Sequence, residues 1–254
     1  MKRKTESPLS FLMVGIGDMF SKYYYHTNFV IFAGDAPVLI DCPDPLPKAL
    51  YEAGKKSGVK LDMNDFEHII LTHLHGDHAN GLESMGFFRY FNRMPKPVIH
   101  TIPEVAETMW EHKLKAAMEP RTDEDFHKID SMSLEDYFEL DILSPDRENM
   151  VAGMKINIRY TKHYVPCFGF KVEFGGRSLG YSSDTAFDPD HIEFLSGCDL
   201  IIHETSRGGH TPYEKLAGLS ESMRQKMILA HIYDDFNIED SQITVAEEGR
   251  FYPV

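Results

Sequence analysis

Short apolar runs separated by polar turns recur along the chain, and they predict a protein rich in β-strands. Residues 9–16 predict a first strand, and residues 29–32 and 38–40 predict a hairpin around 34–37. Strand patterns return after residue 151, where Gly175-Gly176 predicts a second hairpin turn. The later strands are predicted at 154–160, 168–174, 177–181, 200–203 and 227–230.

Helical patterns lie between these strands, and the alternation predicts sheets covered by helices. We expect one domain over residues 1–254, with a helical and acidic insertion around 102–150 that includes an irregular surface segment at 119–133. The aromatic residues of the helix predicted at 81–94 belong either to the core or to a rim or dimer surface, so a homodimer is left open. The other helices are predicted at 45–56, 103–118, 189–195, 213–217 and 221–226.

A loop rich in histidine, which we call the histidine loop (residues 72–81), follows the apolar strand predicted at 67–71. It places three histidines and one aspartate within six residues, with glycines that allow a sharp turn. Neutral imidazoles and a carboxylate are the ligands that Zn²⁺ prefers in proteins. The candidate ligands of this loop are His73, His75, Asp77 and His78.

Three further candidate ligands, His163, Asp184 and His231, each come just after an apolar strand. Taken alone, each has an ordinary interpretation as a surface residue or a turn residue. One ion needs about four ligands, so seven candidates at strand ends indicate two ions. Imidazole and carboxylate without thiolate suit zinc, manganese and iron, and Zn²⁺ is the default expectation.

Net charge and cysteine content indicate which partners and which cellular compartment suit the protein. The formal net charge of −14 argues against a nucleic-acid surface spread over the molecule. Cys42, Cys167 and Cys198 show no paired-ligand spacing, which suits a reducing compartment. The basic residues 2–4 precede an apolar run too short for a signal segment or a membrane span. We therefore expect a cytoplasmic protein without a membrane partner.

The order His-x-His-x-Asp-His at 73–78, followed by His163, Asp184 and His231, resembles the metallo-β-lactamase superfamily over nearly the full chain. Asp41 matches that superfamily's early aspartate, which supports the metal loop without being a ligand. Within the superfamily the chain is most similar to the ribonuclease Z branch. Three segments carry this likeness: residues 180–185, with serine in a glycine position, 200–205 and 209–211.

The resemblance implies an αββα sandwich with a dinuclear metal site at one edge and a bridging hydroxide as nucleophile. It assigns one set of ligands to the first ion and a second set to the other, with Asp184 bridging both. It also implies that Glu204 orients His210, which acts as acid toward the leaving oxygen, and it counts Asp77 with this pair among the catalytic residues. The implied ligands are His73, His75 and His163 for the first ion, and Asp77, His78 and His231 for the second.

The chain departs from that branch in one respect that bears on its substrate. No glycine- and proline-rich arm of the kind that grips tRNA is apparent, and the residues between His78 and His163 are acidic, so tRNA is not expected. A small nucleotide or similar phosphodiester is the expected substrate, with Arg207 on its anionic group and Tyr164 beside it.

Three other functions stay open at this point. One is hydrolysis of esters, lactones, thioesters or β-lactams, because the same metal site would activate water for acyl transfer. Another is a non-hydrolytic di-iron protein that binds oxygen. The third is a binding module that has lost the chemistry, which the complete ligand set opposes.

Overall fold

The computed structural model describes residues 7–33, 36–122 and 125–254. The basic residues 1–6, the centre of the first predicted hairpin turn at 34–35, and the acidic residues 123–124 lie outside the described residues.

Nearly every strand predicted from the apolar runs is present in the structure. Four of them, Met154–Tyr160, Phe168–Phe174, Arg177–Tyr181 and Met227–Ala230, have the predicted bounds. In chain order the strands are β1 (Leu9–Gly15), β2 (Asn28–Ala33), β3 (Ala36–Ile40), β4 (His68–Ile70), β5 (Val98–Thr101), β6 (Pro120–Thr122), β7 (Lys128–Ser131), β8 (Glu139–Ile142), β9 (Asn149–Val151), β10 (Met154–Tyr160), β11 (Phe168–Phe174), β12 (Arg177–Tyr181), β13 (Leu200–Glu204), β14 (Met227–Ala230), β15 (Thr244–Val245) and β16 (Phe251–Pro253).

The helices lie between the strands, as predicted. A 3₁₀ turn occupies Met63–Asp65, and a π-helical segment, Trp110–Leu114, joins α4 to α5. The α-helices are α1 (Leu46–Ser57), α2 (Gly76–Ala79), α3 (Leu82–Phe91), α4 (Pro103–Met109), α5 (Lys115–Met118), α6 (Leu134–Tyr137), α7 (Pro189–Ser196), α8 (Tyr213–Ala217) and α9 (Glu221–Arg224).

Two seven-stranded sheets form the sandwich, and β6 and β7 form a separate hairpin. The first sheet runs β16-β1-β2-β3-β4-β5-β8, and the second runs β15-β14-β13-β12-β11-β10-β9. Strands β3, β4, β5 and β8 are parallel in one sheet, and β12 to β15 are parallel in the other. The carboxyl ends of parallel strands meet at one edge of a sheet, so the loops after them gather there.

The two sheets pack face to face through an aromatic core. Phe29 on β2 meets Tyr181 on β12 edge to face, with ring centroids 4.9 Å apart, and Phe170 packs on the same tyrosine. All seven residues of β1 are buried, which requires cover on both faces of the strand. The second sheet covers the inner face, and helix α1 packs against β1 from outside. The predicted αββα sandwich is confirmed.

The expectation of a helical insertion at 102–150 is wrong for part of its length. Residues 139–142 form β8, which pairs with β5 at the edge of the first sheet, and 149–151 form β9 at the edge of the second. The segment 119–133, expected to be irregular, contains the β6–β7 hairpin. The side chains of β6 and β8 are mostly exposed, so these two strands lack the apolar run on which the strand predictions rested.

The aromatic residues of α3 divide between the two predicted roles. Phe87, Phe88 and Tyr90 are partly buried against the core, whereas Phe91 is exposed. Among the described residues no helix has both the length and the apolar character needed to cross a membrane.

Candidate metal centre

The seven predicted ligands meet at one edge of the sandwich, where loops from both sheets converge. The histidine loop follows β4, Asp184 follows β12, and His231 follows β14. Two of the supporting residues at these strand ends, Asp41 and Ser183, adopt positive φ, as does His231. Such backbone conformations cost energy in residues other than glycine and cluster at functional sites.

The first group of donor atoms joins the two sheets. His163 Nε2 lies 2.9 Å from His75 Nδ1 and 3.7 Å from Asp184 Oδ2. His73 Nε2 lies 3.6 Å from the same Asp184 oxygen. These four side chains place their donor atoms within 4.8 Å of one another.

The second group shares Asp184 with the first. His231 Nε2 lies 3.1 Å from Asp77 Oδ2 and 3.6 Å from Asp184 Oδ2. His78 Nε2 lies 3.3 Å from Asp184 Oδ1. Asp184 therefore directs its carboxylate at both groups, which is the arrangement that a bridging ligand requires.

The chemistry of these donors tests whether divalent ions fit. Among the described residues, His73 Nε2, His78 Nε2 and Asp184 Oδ1 are buried and have no hydrogen-bond partner. A buried polar atom without a hydrogen-bond partner destabilises the folded state by about 1–3 kcal/mol, so three such atoms within one cluster need an explanation. Two ligand atoms at about 2.1 Å from one tetrahedral ion lie about 3.4 Å apart, close to the separations between these donors. The residues fit a pair of metal ions.

Asp41 fixes the orientation of the histidine loop, as predicted. Its Oδ1 accepts hydrogen bonds from the backbone N–H of Thr72 at 2.8 Å and from the Thr72 hydroxyl at 2.9 Å. Its Oδ2 lies 2.8 Å from His78 Nδ1, which donates to it. With a proton held on Nδ1, Nε2 is the His78 nitrogen that faces the donor cluster, as metal-binding histidines require.

The electrostatics of the cluster favour the protonation states of metal ligands on the first group. Burial holds the pKa of His73 well below its usual value and lowers the pKa of His163 to about 4, so both imidazoles are neutral. Burial would raise the pKa of Asp184, but the neighbouring His231 and His78 outweigh it and hold that pKa well below the usual value. Neutral imidazoles around an ionised carboxylate are the forms that bind metal.

A fully buried carboxylate and a histidine form a pair beside the metal donors. Glu204 Oε1 accepts the backbone N–H of Thr185 at 2.6 Å, and Oε2 accepts from His210 Nδ1 at 2.7 Å. Burial opposes the charged form of His210, but the hydrogen bond to Glu204 outweighs it and raises the pKa of His210. The structure thus brings together the two residues predicted to transfer the proton.

Comparison with known proteins gives the family. A family profile described as "Anti-Pycsar protein Apyc1" matches residues 9–252. The chain belongs to this family. The Apyc1 protein of Paenibacillus sp. (strain J14) is 30% identical over 233 residues, which cover 88% of this chain and 89% of that protein.

Solved structures confirm the fold of this Apyc1-family chain. The metallo-β-lactamase fold protein YhfI from Bacillus subtilis matches with a TM-score of 0.73 and 14% identity, covering 96% of this chain and 99% of that one. The short form of human tRNase Z matches with a TM-score of 0.67 and 18% identity, covering 96% and 98%. The predicted metallo-β-lactamase fold, which the short tRNase Z shares, is therefore confirmed, and the chain is a metal-dependent hydrolase.

The metal centre opens into a cavity of about 480 Å³, within the range of small-molecule sites in proteins. The predicted substrate residues Tyr164 and Arg207 both line it. Tyr164 is exposed, and its ring lies 5.7 Å from that of His163. Arg207 is already engaged, because its guanidinium binds Asp235 at 2.7 Å and lies over the Tyr233 ring.

The sequence did not indicate which residues of the loop after β1 contact the cavity. Met19, Phe20 and Lys22 of the loop after β1 line the cavity, whereas Tyr24 and Tyr25 pack on the core. Buried Asp18 accepts hydrogen bonds from the Ser206 hydroxyl at 2.9 Å and from the Phe20 N–H at 3.0 Å. The available signal was the Gly17-Asp18 turn after β1, since a turn aspartate commonly binds the backbone two residues on.

Proposed function

We propose that this Apyc1-family hydrolase cleaves a P–O bond in a small nucleotide phosphodiester, such as a cyclic nucleotide. The observation that carries the proposal is the position of the Glu204–His210 pair, which lies against the same carboxylate that the two donor groups share. His210 Nδ1 is 3.9 Å from Asp184 Oδ2 and 2.7 Å from Glu204 Oε2. A proton donor is thereby placed within one cavity beside the water-activating centre.

Each ligand has a proposed role in the two-ion site. Asp184 would bind both ions, and zinc is the proposed metal, with manganese or iron as the alternatives. Two such ions, when bound, lower the pKa of a shared water and polarise the phosphoryl oxygen. His73, His75 and His163 would hold one ion, and Asp77, His78 and His231 would hold the other.

The chain's own residues supply the proton for the leaving group. Glu204 holds His210 through its Nδ1 proton and favours the charged imidazolium. As the P–O bond breaks, His210 donates a proton to the departing oxygen, and the phosphorus keeps the hydroxyl from water. The products are a phosphomonoester and an alcohol, or one ring-opened monophosphate if the diester is cyclic.

The cavity walls favour a small anion over a large one. Asp18 and Asp234 line the cavity beside the ion pair of Arg207 and Asp235, and their carboxylates would repel the many phosphates of a folded RNA. A small molecule carrying one phosphate meets the metal ions without crossing an extended acidic surface. We therefore propose a small-molecule substrate rather than tRNA. Homodimerisation through the α3 surface stays a prediction, which light scattering of the purified protein would test.

A substrate panel tests the proposal. The zinc-loaded protein is assayed with a cyclic nucleotide, bis(p-nitrophenyl) phosphate, a thioester, a lactone and a cephalosporin. Turnover of the phosphodiesters at rates well above those of the carbon esters supports the proposal. Turnover of an acyl substrate without phosphodiester cleavage would assign the centre to acyl hydrolysis. Iron in the purified protein with no turnover of any substrate would favour a di-iron oxygen-binding protein.

A further inference from the structure

The loop after β1 (residues 16–25) places two apolar side chains at the rim of the metal cavity. Met19 is 40% exposed and Phe20 is 80% exposed, and both line the cavity that His75, Asp77 and Asp184 also line. Single apolar residues are common on protein surfaces, so exposure alone means little. Their position in the wall of the reaction cavity is what indicates a contact with a bound ligand.

The backbone beneath these side chains is fixed by hydrogen bonds. The Phe20 N–H donates to Asp18 Oδ1 at 3.0 Å. The Ser21 hydroxyl donates to Asp234 Oδ1 at 2.6 Å, and the Lys22 N–H donates to the other oxygen of that carboxylate at 2.9 Å. The loop therefore presents the Phe20 ring in a set position, and a ligand that binds there does not have to order the loop first.

The same hydrogen bonds connect the Phe20 ring to the residues of the proposed reaction. Asp18 Oδ2 accepts a hydrogen bond from the Ser206 hydroxyl at 2.9 Å. Ser206 also lines the cavity, and the loop that contains it leads directly to His210. One carboxylate thus holds the Phe20 turn against the loop that carries the proposed acid.

The other aromatic rings of the cavity already have partners. The guanidinium of Arg207 lies over the Tyr233 ring, 4.2 Å from its centroid. Tyr164 packs against Gly209, where an added Cβ would collide with the tyrosine hydroxyl, and its ring lies beside that of His163. The Phe20 ring is by contrast almost fully exposed, so a planar group can stack on it.

The shape of a nucleotide matches this distribution of groups. Its phosphate is charged, whereas its base is planar and joined to the phosphate through a ribose. With the phosphate at the metal centre, the base must lie against another part of the cavity wall. Aromatic side chains stack on bases of every kind, and a methionine thioether makes favourable contacts with ring edges. Phe20 and Met19 are the side chains of that kind on the loop after β1.

We infer that Phe20 stacks on the base of the substrate and that this contact makes the enzyme select nucleotides over phosphodiesters without a base. The inference rests on the proposed phosphodiesterase function and adds the residue that recognises the part of the substrate away from the phosphate. Phe20 is a specificity-determining residue in this account, and it takes no part in bond cleavage.

Two ligands that differ only in the base test this inference. Adenosine 5′-monophosphate and ribose 5-phosphate are titrated into the zinc-loaded protein by calorimetry, which measures binding without turnover. The variants are Phe20→Ala, which removes the ring, and Phe20→Trp, which keeps an aromatic face. Tyr23→Ala is the matched control, since Tyr23 is 75% exposed on the same loop and does not line the cavity. Zinc content and Tm are measured for each protein.

Phe20→Ala should raise the Kd of adenosine 5′-monophosphate at least about fivefold, which is the lower end of what a stacking residue contributes. The Kd of ribose 5-phosphate, the zinc content and the Tm should stay near the wild-type values. Phe20→Trp should bind the nucleotide at least as tightly as the wild type, and Tyr23→Ala should change neither Kd.

The inference is overturned if Phe20→Ala binds the nucleotide like the wild type, if it weakens both ligands equally, or if Tyr23→Ala reproduces the loss. Failure of the proposed function is observed separately, as a wild-type protein that cleaves no phosphodiester.

Discussion

Replacing Asp41 with asparagine isolates the contribution of one buried carboxylate to metal binding. The change keeps the size of the side chain and keeps an oxygen for the two donors of Thr72. It places an amide N–H₂ group against His78 Nδ1, which now donates to Asp41 Oδ2 at 2.8 Å. Two donors then face each other, so His78 must move its proton to Nε2. That nitrogen is the one directed at the second donor group.

The expected loss follows from the role of His78 as a ligand. Outer contacts that hold a metal-binding histidine typically contribute 10- to 100-fold to metal affinity. Asp41→Asn should therefore weaken the binding of the ion at Asp77, His78 and His231 by about 1.4–2.7 kcal/mol. The ion at His73, His75 and His163 should keep most of its affinity. Excess zinc should restore activity, because the ligands themselves are intact.

Competition with a chromophoric chelator measures the two affinities separately, and elemental analysis after dialysis gives the number of ions retained. Asp44→Asn is the control, since it neutralises an exposed carboxylate three residues away that makes no hydrogen bond to the histidine loop. If Asp41→Asn keeps two ions at wild-type affinity, the proposed control of the His78 proton is refuted.

Three other substitutions test separate parts of the site. Ser183 adopts a φ of 50°, so Ser183→Gly should keep the free energy of unfolding within about 1 kcal/mol of the wild type, whereas Ser183→Val should lower it by at least about 2 kcal/mol. Urea denaturation measures both changes, and a large loss of stability with glycine would contradict this account of the loop. His210→Ala should lower kcat about 10²- to 10⁴-fold for a diester with an alkoxide leaving group and much less for bis(p-nitrophenyl) phosphate, whose leaving group needs no proton; equal losses would remove His210 as the acid. Arg207→Ala should raise KM more for phosphodiesters than for neutral esters, and Asp235→Ala, which frees the guanidinium, should not raise it; an equal effect of Arg207→Ala on both substrate classes would exclude the contact.

Much of the fold follows from the sequence because apolar runs report burial directly. The strands of the second sheet between residues 154 and 181 have buried or alternating residues, and the turn at Gly175 and Gly176 uses the positive φ that glycine allows. Strand Glu139–Ile142 could not be predicted in this way, because it lies at a sheet edge with its side chains mostly exposed. Its partner β5 comes from nearly 40 residues earlier in the chain, and only the folded sheet brings them together.

The metal-donor cluster was also accessible from the sequence, because its residues are concentrated in one loop and at strand ends. Ser183 shows what the sequence alone left unexplained. It occupies a position where the related branch has glycine, and the structure shows a left-handed backbone there. Asp18 was not predicted, because it acts through a contact with Ser206, which is distant in sequence.

Metal content and turnover measured on one sample test the central claim most directly. The protein is stripped with a chelator, reloaded with zinc, and assayed with a cyclic nucleotide while bound metal is counted by elemental analysis. The account predicts no turnover in the stripped protein, full recovery at two ions per chain, and a monophosphate as product. Cleavage of the phosphodiester by the stripped protein, or full activity with a single ion bound, would contradict a two-ion hydrolase built on Asp184.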